Sequence, residues 1–359
     1  MQDGAIDAGK VTDALKTLKD PETGRSVIEM GQVHDLQADS KRIRLTLGLT
    51  THSSPLWPET RQAAIDQLRA TFPDVAQVDV VVETHVRPPE KLGEIGLSAK
   101  SVIVVGSGKG GVGKSTIATA LAYGLHRSGS AVGLVDADVY GPSVPQLLGI
   151  EGRPEVIDNR IQPLDKDGIK VMSMGFLVPP GEAVVWRGPM LHGAITQFLR
   201  DTAWGELDYL IIDMPPGTGD IALTLSQLLP LTGAVVVCTP QKVALLDAIK
   251  AIAMFRKVHI PILGMVENMS GFVCPDCHKR YEIFGSGGAR QAAADLEVPF
   301  LGEVPINMGI RLGGDAGQMA DIFADELVRT SLEGITLQLV RNLADKVKGD
   351  PPLPSLSVL

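Results

Sequence analysis

A glycine-rich segment that ends in a lysine and a hydroxyl side chain carries the strongest chemical signal in the sequence. Residues 108–115 fit the pattern G-x-x-x-x-G-K-[S/T], and a β-branched run at residues 102–105 precedes them. In such a loop the backbone N–H groups converge on phosphate oxygens, the lysine reaches the β- and γ-phosphates, and the hydroxyl ligates Mg²⁺. The segment therefore predicts a nucleoside triphosphate site in which Lys114 binds phosphate and Ser115 binds the metal. The residues expected to form it are Gly108, Lys109, Gly110, Gly111, Val112, Gly113, Lys114, Ser115 and Thr116.

The same glycines also fit the dinucleotide fingerprint G-x-G-x-x-G, and Asp136 lies where a ribose-binding acid would be sought. Three features favour the triphosphate site instead. A dinucleotide loop has no role for residues 113–115, and a second acid, Asp138, follows Asp136. Asp213 comes directly after a buried run, as the acids of Mg²⁺–nucleotide sites do.

Two cysteines, Cys274 and Cys277, form the second chemical signal. A C-x-x-C motif brings two soft thiolates to one metal centre, but a four-thiolate site needs four. The third cysteine, Cys238, ends an apolar run and is expected to be an inert core thiol. One chain thus supplies two ligands, and an isologous dimer would supply the other two across its two-fold axis.

The cysteine pair by itself has several interpretations. With His278 it matches a c-type haem attachment site, but that chemistry normally follows export, and the sequence shows no signal peptide. A thioredoxin-like dithiol would require the motif to cap the first helix of a small βαβ domain. A shared zinc ion and a bridging [4Fe–4S] cluster are not separated by ligand type, because tetrahedral thiolate sites suit both.

The elements that must position these residues change character along the chain. Residues 1–85 predict a small α+β domain, with a hairpin formed by the runs at 26–33 and 42–49. From residue 101 short β-branched runs alternate with helical patterns. Runs that are apolar on both faces predict an α/β fold, a mostly parallel sheet with helices on both faces. These runs occupy residues 102–105, 131–135, 209–212, 234–237, 262–266 and 300–304.

Composition sets the outer limits of the interpretation. The 359 residues are 44% hydrophobic and 21% charged, which excludes disorder as the main state. We expect a domain at residues 1–85, a linker at 86–100, an ATPase domain at 101–347 and a flexible tail at 348–359. The net charge of −9 argues against a nucleic-acid partner. With no membrane-length apolar run and no export signal, we expect no membrane partner and a cytoplasmic location.

Taken together, these motifs resemble the Mrp/ApbC family of iron–sulfur cluster carrier ATPases. That family belongs to the deviant P-loop class of MinD, ParA, ArsA and the nitrogenase iron protein. The resemblance covers roughly residues 101–340 and rests on segments 108–116, 136–143, 213–220 and 267–270 with the cysteine pair. It implies a homodimer that uses ATP and Mg²⁺, holds a bridging [4Fe–4S] cluster on Cys274 and Cys277, and hands it to apo iron–sulfur proteins. Cluster scaffold proteins are the other implied partners.

The resemblance also implies roles for single residues in hydrolysis. Lys109 would reach the partner subunit's phosphates and, with Lys114, stabilise charge in the transition state. Asp138 would orient the attacking water. Asp136 would support the magnesium shell, and Asp213 would hold a magnesium-bound water.

Three further residues are implied to contact the nucleotide. Gly217 would sense the γ-phosphate through its backbone N–H, Asn268 would recognise the edge of the adenine, and Pro305 would line the other side of the base. The first 85 residues resemble the small iron–sulfur assembly-factor domain that is often fused to this family. They depart from it at Ser54, because that domain commonly has a cysteine before the proline at this point.

Two other functions fit parts of the pattern. A partitioning or positioning ATPase would bind DNA or membrane and would not need the cysteines, and the acidic balance counts against it. An ATPase that passes electrons through the same cluster would keep every motif.

Overall fold

The computed structural model describes residues 6–139, 141–176, 188–217 and 219–349. It divides into two compact units, Met1–Arg87 with Val340–Leu359, and Pro88–Leu339. Most of the expected tail, residues 350–359, lies outside the described residues.

The first unit is a three-stranded sheet covered by two helices. Strand β2 occupies the centre, antiparallel to β1 and parallel to β3. Alternating apolar residues of β2 face the helices, so that Leu45, Leu47 and Leu49 are almost fully buried with Leu15 and Leu68. This confirms the small α+β fold. Its elements are α1 (Ala8–Ala14), β1 (Val33–Ala38), β2 (Arg42–Leu49), a 3₁₀ helix (Thr51–Leu56), α2 (Trp57–Thr71) and β3 (Gln77–Thr84).

The first strand of the predicted hairpin was placed wrongly. Ser26 forms an isolated β-bridge with Lys19, and residues 27–31 form turns in which the Met30 N–H donates to the Ser26 carbonyl at 3.0 Å and Gly31 has φ of +62°. With the bond from the Val27 N–H to the Leu18 carbonyl, these contacts occupy backbone groups of the run without pairing it to β2. The strand begins only at Val33.

The remaining strands and helices belong to the second unit, and the last helix continues past Leu339 into residues of the first unit. They are β4 (Lys91–Leu92), β5 (Leu97–Gly106), α3 (Lys114–Arg127), β6 (Val132–Asp136), α4 (Val144–Leu148), β7 (Val156–Ile157), β8 (Arg160–Ile161), β9 (Leu164–Lys166), β10 (Ile169–Ser173), a 3₁₀ turn (Met174–Phe176), α5 (Gly188–Asp201), β11 (Leu207–Asp213), α6 (Gly219–Leu228), β12 (Gly233–Cys238), α7 (Lys242–Lys257), β13 (Ile262–Val273), β14 (Arg280–Tyr281), α8 (Gly288–Asp295), β15 (Phe300–Ile306), α9 (Met308–Asp315), a 3₁₀ helix (Met319–Ala324) and α10 (Glu326–Gly349).

Most strands of the second unit form one sheet in the order β14-β13-β12-β5-β11-β6-β10-β9, with β15 also paired to β13. Every pair from β15 through β13, β12, β5, β11 and β6 to β10 is parallel. Helices α5 to α8 bury their apolar sides against one face of the sheet. Helices α3 and α10 pack against each other. The predicted α/β architecture with a mostly parallel sheet is confirmed.

The stretch expected to be a linker, residues 86–100, contains strand residues. Strand β4 pairs antiparallel with the start of β5, which begins at Leu97. Leu97 and Ala99 are buried in the core of the second unit. Burial of these two side chains extends the central strand toward its N-terminus beyond the β-branched run at 102–105.

Candidate functional site

The acids and the glycine-rich loop meet at one edge of the sheet because their strands are parallel and in register. Asp213, the last residue of β11, pairs with Asp136, the last residue of β6. On its other side Asp213 pairs with Val105 of β5, which runs into the glycine-rich loop. The carboxyl ends of parallel strands are where α/β proteins bind ligands.

A cavity of about 270 Å³ opens over this edge. Seven of the nine predicted loop residues line it: Lys109, Gly110, Gly111, Gly113, Lys114, Ser115 and Thr116. Asp138 also lines it, together with Ser107, Gly141, Ser143, Leu147 and Pro216. Of the other two loop residues, Val112 is buried, and Gly108 is half-buried with its backbone so close to Asp247 that a Cβ atom would overlap it.

Glycines shape the loop at two places. Gly111 and Gly113 have φ of +80° and +81°, a conformation that L side chains rarely adopt. Gly113 immediately precedes α3, so the helix N-terminus points its N–H groups toward the cavity. A Cβ atom at Gly113 would collide with the amide nitrogen of Asn268, which donates to the Val112 carbonyl at 2.9 Å.

Lys114 is the buried cation of the site. Its Nζ atom lies 2.5 Å from Asp213 Oδ1, donates to Ser115 Oγ at 3.2 Å and lies 3.9 Å from Asp138 Oδ2. Its side chain is only 6% exposed. The ammonium group is therefore surrounded by oxygen atoms at the point where the motif brings phosphates.

Asp136 organises the loop that carries Asp138. Its carboxylate accepts hydrogen bonds from the N–H groups of Asp138 and Val144, both at 3.1 Å, and from the Ser173 hydroxyl at 3.0 Å. Burial, with the nearby charge of Asp213, raises the pKa of Asp136 to about 7. Asp136 does not line the cavity, and it acts on the site by holding the backbone around Asp138.

Asp213 has the properties of a magnesium-shell residue. Burial raises its pKa, while the Lys114 ammonium and the Ser115 hydroxyl oppose that effect. Among the described residues its Oδ2 atom is buried and accepts no hydrogen bond. A buried carboxylate oxygen requires a hydrogen-bond donor or a cation. Together with the neighbouring serine hydroxyl it provides oxygen ligands that suit Mg²⁺ with its bound waters.

The other predicted nucleotide contacts, at Gly217, Asn268 and Pro305, do not line the cavity. The Gly217 N–H donates to the Ser107 carbonyl at 3.0 Å. Asn268 is 7% exposed, and its side-chain hydrogen bond to the Val112 carbonyl supports the glycine-rich loop. Pro305 is buried in β15, next to Val304, the register partner of Asn268. Asn268 and Pro305 are thus neighbours on adjacent strands.

The cysteine pair occupies a tight turn between β13 and β14. The Cys274 N–H donates to the Lys279 carbonyl at 3.0 Å, and the His278 N–H donates to the Cys274 carbonyl at 2.9 Å. Cys274 is half-buried and Cys277 is exposed. In the part of the chain that the structure describes, no group of three or more His, Cys, Asp or Glu side chains could hold a metal ion.

The two kinds of cysteine differ in their electrostatics. Backbone N–H groups of Cys277 and Asp276, and then the Cys277 thiol, hydrogen-bond to Cys274 and lower its pKa. Burial in β12, with the charge of Glu267, raises the pKa of Cys238 to about 12. The turn therefore favours a thiolate, the form that binds metals, whereas the core favours a thiol.

Sequence reasoning missed three residues that support the site. Ser173 binds Asp136 across a strand pair that the sequence did not reveal. Glu267 is fully buried and accepts bonds from the Ser270 hydroxyl and from the N–H groups of Gly287 and Ala289. Arg280 contacts Glu282, Glu303 and Ser270 beside the cysteine turn. No local pattern marks Ser173, whose partner Asp136 lies on another strand, or the contacts that Arg280 makes with Ser270 and Glu303 of neighbouring strands. For Glu267 the spacing to Ser270 was a local signal.

No helix in the described ranges combines the length and the apolar character needed to cross a bilayer.

Comparison with known proteins supports the family resemblance that the motifs indicated. Residues 98–344 match the family described as NUBPL iron-transfer P-loop NTPase (ParA), and residues 9–80 match that described as iron–sulfur cluster assembly protein. An iron–sulfur cluster carrier protein of Deinococcus radiodurans is 44% identical, and the match covers 96% of each chain. The iron–sulfur cluster transfer protein NUBPL of Mus musculus is 53% identical over 61% of this chain and 70% of its own.

One solved structure shares both sequence and fold. A nucleotide-binding protein of Archaeoglobus fulgidus, in complex with ADP, is 42% identical with a TM-score of 0.55. The match covers 62% of this chain and 88% of that one.

Proposed function

Because this chain belongs to the family of NUBPL iron-transfer P-loop NTPases, we propose that it is an ATP-hydrolysing carrier of iron–sulfur clusters. Two subunits hold a bridging [4Fe–4S] cluster as cargo and hand it to apo iron–sulfur proteins. Scaffold proteins on which clusters are assembled load it. The relatives at 44% and 53% identity, which are named as cluster carrier and cluster transfer proteins, support this proposal.

The observation that carries the proposal is the thiolate-stabilising turn at Cys274 and Cys277. Its backbone N–H groups lower the pKa of Cys274 before any metal binds. The turn offers two cysteine sulfur atoms, one half-buried and one exposed, whereas a [4Fe–4S] cluster takes four thiolate ligands. Two copies of the turn related by a two-fold axis complete the ligand set.

The nucleotide site supports ATP as the driving ligand. Lys114 lies where it can exchange the Asp213 carboxylate for the β- and γ-phosphates. The Ser115 hydroxyl and Asp213 would hold Mg²⁺, which when bound neutralises phosphate charge. Thr116 and the loop N–H groups contact the remaining phosphates.

Hydrolysis requires a water held in line with the γ-phosphate, and we assign that role to Asp138. Asp138 lines the cavity, and its loop is fixed by the bonds from Asp136. Lys109 lines the same cavity and would reach the phosphates of the partner subunit, stabilising transition-state charge as an arginine finger does. Gly217 senses the γ-phosphate by releasing its bond to Ser107.

The base would be recognised at the far end of the site. Asn268 and Pro305 lie on adjacent strands, β13 and β15, and together can contact the edge and face of an adenine ring.

Anaerobic reconstitution with iron and sulfide tests the proposal. The wild-type protein is expected to bind about four irons per dimer and to show the broad visible absorption of a cluster. The double variant Cys274→Ala/Cys277→Ala should bind none. Cys238→Ala, which removes the buried thiol, is the control and should load normally. Four irons per dimer in the double variant, or zinc in place of iron, would overturn the proposal.

A further inference from the structure

Arg280 is the first residue of β14, the strand after the cysteine turn, and makes contacts in three directions. Its Nε atom donates to Glu282 at 2.9 Å, and Nη1 donates to Glu303 of β15 at 3.2 Å. Its Nη2 atom lies 3.4 Å from both the carbonyl and the hydroxyl oxygens of Ser270. Each of the three guanidinium nitrogen atoms is therefore directed at an acceptor.

The guanidinium also occupies the space beside Gly271. A Cβ atom at Gly271 would lie 2.8 Å from Nε and 3.2 Å from Cζ of Arg280, so only glycine leaves room for this contact. Gly271 has φ of +68°, and Met269, two residues earlier, has φ of +59°. A left-handed conformation is unusual for a long side chain such as methionine.

These residues belong to a bulge in β13, residues 269–271. The register with β15 moves from Asn268–Val304 to Phe272–Ile306, so four steps along β13 match two along β15. A bulge bends its strand and thereby sets the direction of the chain beyond it. The segment beyond this bulge is the cysteine turn.

The opposite end of the bulge touches the nucleotide loop. Asn268 donates to the Val112 carbonyl at 2.9 Å, and the Met269 Cε atom lies 3.9 Å from the position of a Cβ on Gly113. Ser270, at the middle of the bulge, donates to the buried Glu267 at 2.7 Å. One short segment therefore contacts the phosphate loop at its start and Arg280 at its end.

We propose that Arg280 is a positioning residue that links the cysteine turn to the nucleotide loop through the bulge at residues 269–271. Movement of the loop on nucleotide binding shifts Asn268, the bulge moves with it, and Arg280 carries the shift to Cys274 and Cys277. The planar guanidinium performs this role because it engages Ser270, Glu303 and Gly271 at fixed relative angles. The inference rests on the proposed function only in taking these cysteines as the cargo site.

Thiol reactivity in the metal-free, full-length protein measures this link directly. The rate of alkylation of Cys274 and Cys277 by iodoacetamide is followed by peptide mass spectrometry, with and without a non-hydrolysable ATP analogue and Mg²⁺. In the wild type, the alkylation rates with and without the analogue are expected to differ by about fivefold or more, as for a typical coupling between sites. In Arg280→Gln the difference should disappear, while analogue affinity stays at the wild-type value.

Three comparisons make the result specific. Arg311→Gln removes an arginine from an exposed pair with Asp315 and should keep the full nucleotide response. Arg280→Lys keeps the charge but not the planar guanidinium, and it should show only part of the wild-type nucleotide response. Should Arg280→Gln fail to fold, Glu303→Gln removes the acceptor instead and should reduce the response.

A nucleotide response of wild-type size in Arg280→Gln would overturn the inference. An absence of any response in the wild type would do the same. Neither outcome affects iron loading in the reconstitution experiment, so failure of this inference and failure of the carrier function are distinguishable.

Discussion

At the scale of single residues, Lys114 is a deeply buried cation with two acidic neighbours, as expected because a lysine is seldom buried unless it is paired. Its ammonium lies 2.5 Å from Asp213 and 3.9 Å from Asp138. Loss of the lysine leaves Asp213 buried without its cation, but the raised pKa of that acid allows it to take up a proton. We therefore expect loss of Lys114 to affect the proposed phosphate binding more than the fold.

We expect Lys114→Ala to lower ATP hydrolysis by about 10²- to 10³-fold, because a charge that stabilises the transition state is lost. Steady-state phosphate release measures this. Lys16→Ala, which removes an exposed lysine paired with Asp13, should hydrolyse ATP at the wild-type rate. Wild-type turnover in Lys114→Ala would exclude the assignment.

Cys274 and Cys238 differ in the pKa of their thiols, and the pH dependence of alkylation tests this difference. A lowered pKa gives Cys274 a larger thiolate fraction at neutral pH than an ordinary thiol, whereas a pKa of about 12 leaves Cys238 protonated. Since the thiolate is the nucleophile, iodoacetamide should modify Cys274 first in metal-free protein. Raising the pH should speed the reaction of Cys274 less than that of an ordinary thiol. Modification of Cys238 before Cys274 in folded protein would contradict the electrostatics.

At the scale of elements, the glycine-rich loop and β13 depend on each other. Gly113 leaves room for the Asn268 amide, and that amide in turn binds the loop carbonyl of Val112. The strand that carries Asn268 continues for five residues to Val273, next to Cys274. One strand thus connects the two chemical sites.

A pair of glycine substitutions separates backbone strain from this packing. Alanine at Gly111 or Gly113 meets a similar left-handed φ and loses roughly 1–2 kcal/mol for that reason. Nothing lies within 4 Å of a Cβ at Gly111, whereas at Gly113 the Asn268 hydrogen bond must also break. We therefore expect Gly113→Ala to lower the free energy of unfolding by about 1 kcal/mol more than Gly111→Ala. Urea unfolding measures both, and equal losses would show that Asn268 does not support the loop.

At the scale of the whole molecule, both proposed activities need a second subunit. The cysteine turn supplies two of four ligands, and Lys109 is proposed to act on the partner's nucleotide. The first conclusion comes from a ligand set that one chain leaves incomplete, and the second from the family resemblance of the glycine-rich loop. A closed two-fold dimer would satisfy both.

Subunit mixing tests whether Lys109 acts across the dimer. Lys109→Ala and Lys114→Ala should each be inactive alone. In a mixed dimer the Lys109→Ala subunit keeps its own Lys114 and receives Lys109 of the partner subunit, so one of the two sites works. Random pairing should then restore about a quarter of wild-type hydrolysis. Activity that stays at the level of the separate variants would place Lys109 in its own subunit's site.

Local sequence determined much of this protein. The β-branched runs predicted the sheet because strands buried on both faces must be apolar throughout. The glycine-rich loop was recognisable because phosphate binding needs particular residue types at neighbouring positions. The acids at 136, 138 and 213 were found because each lies at or just beyond the end of its strand.

Only the tertiary structure decided which of these residues touch. The register of β11 with β6 makes Asp213 and Asp136 direct neighbours, and the pairing of β10 with β6 brings Ser173 to Asp136. The run at 26–33 was misplaced because backbone bonds within its turns and to residues 18 and 19 replaced pairing with β2 over most of its length. The bulge that joins Asn268 to Arg280 exists only through pairing with β15. Composition and spacing express local chemistry, whereas register, bulges and buried ion pairs arise from contacts between segments far apart in the chain, which no local pattern encodes.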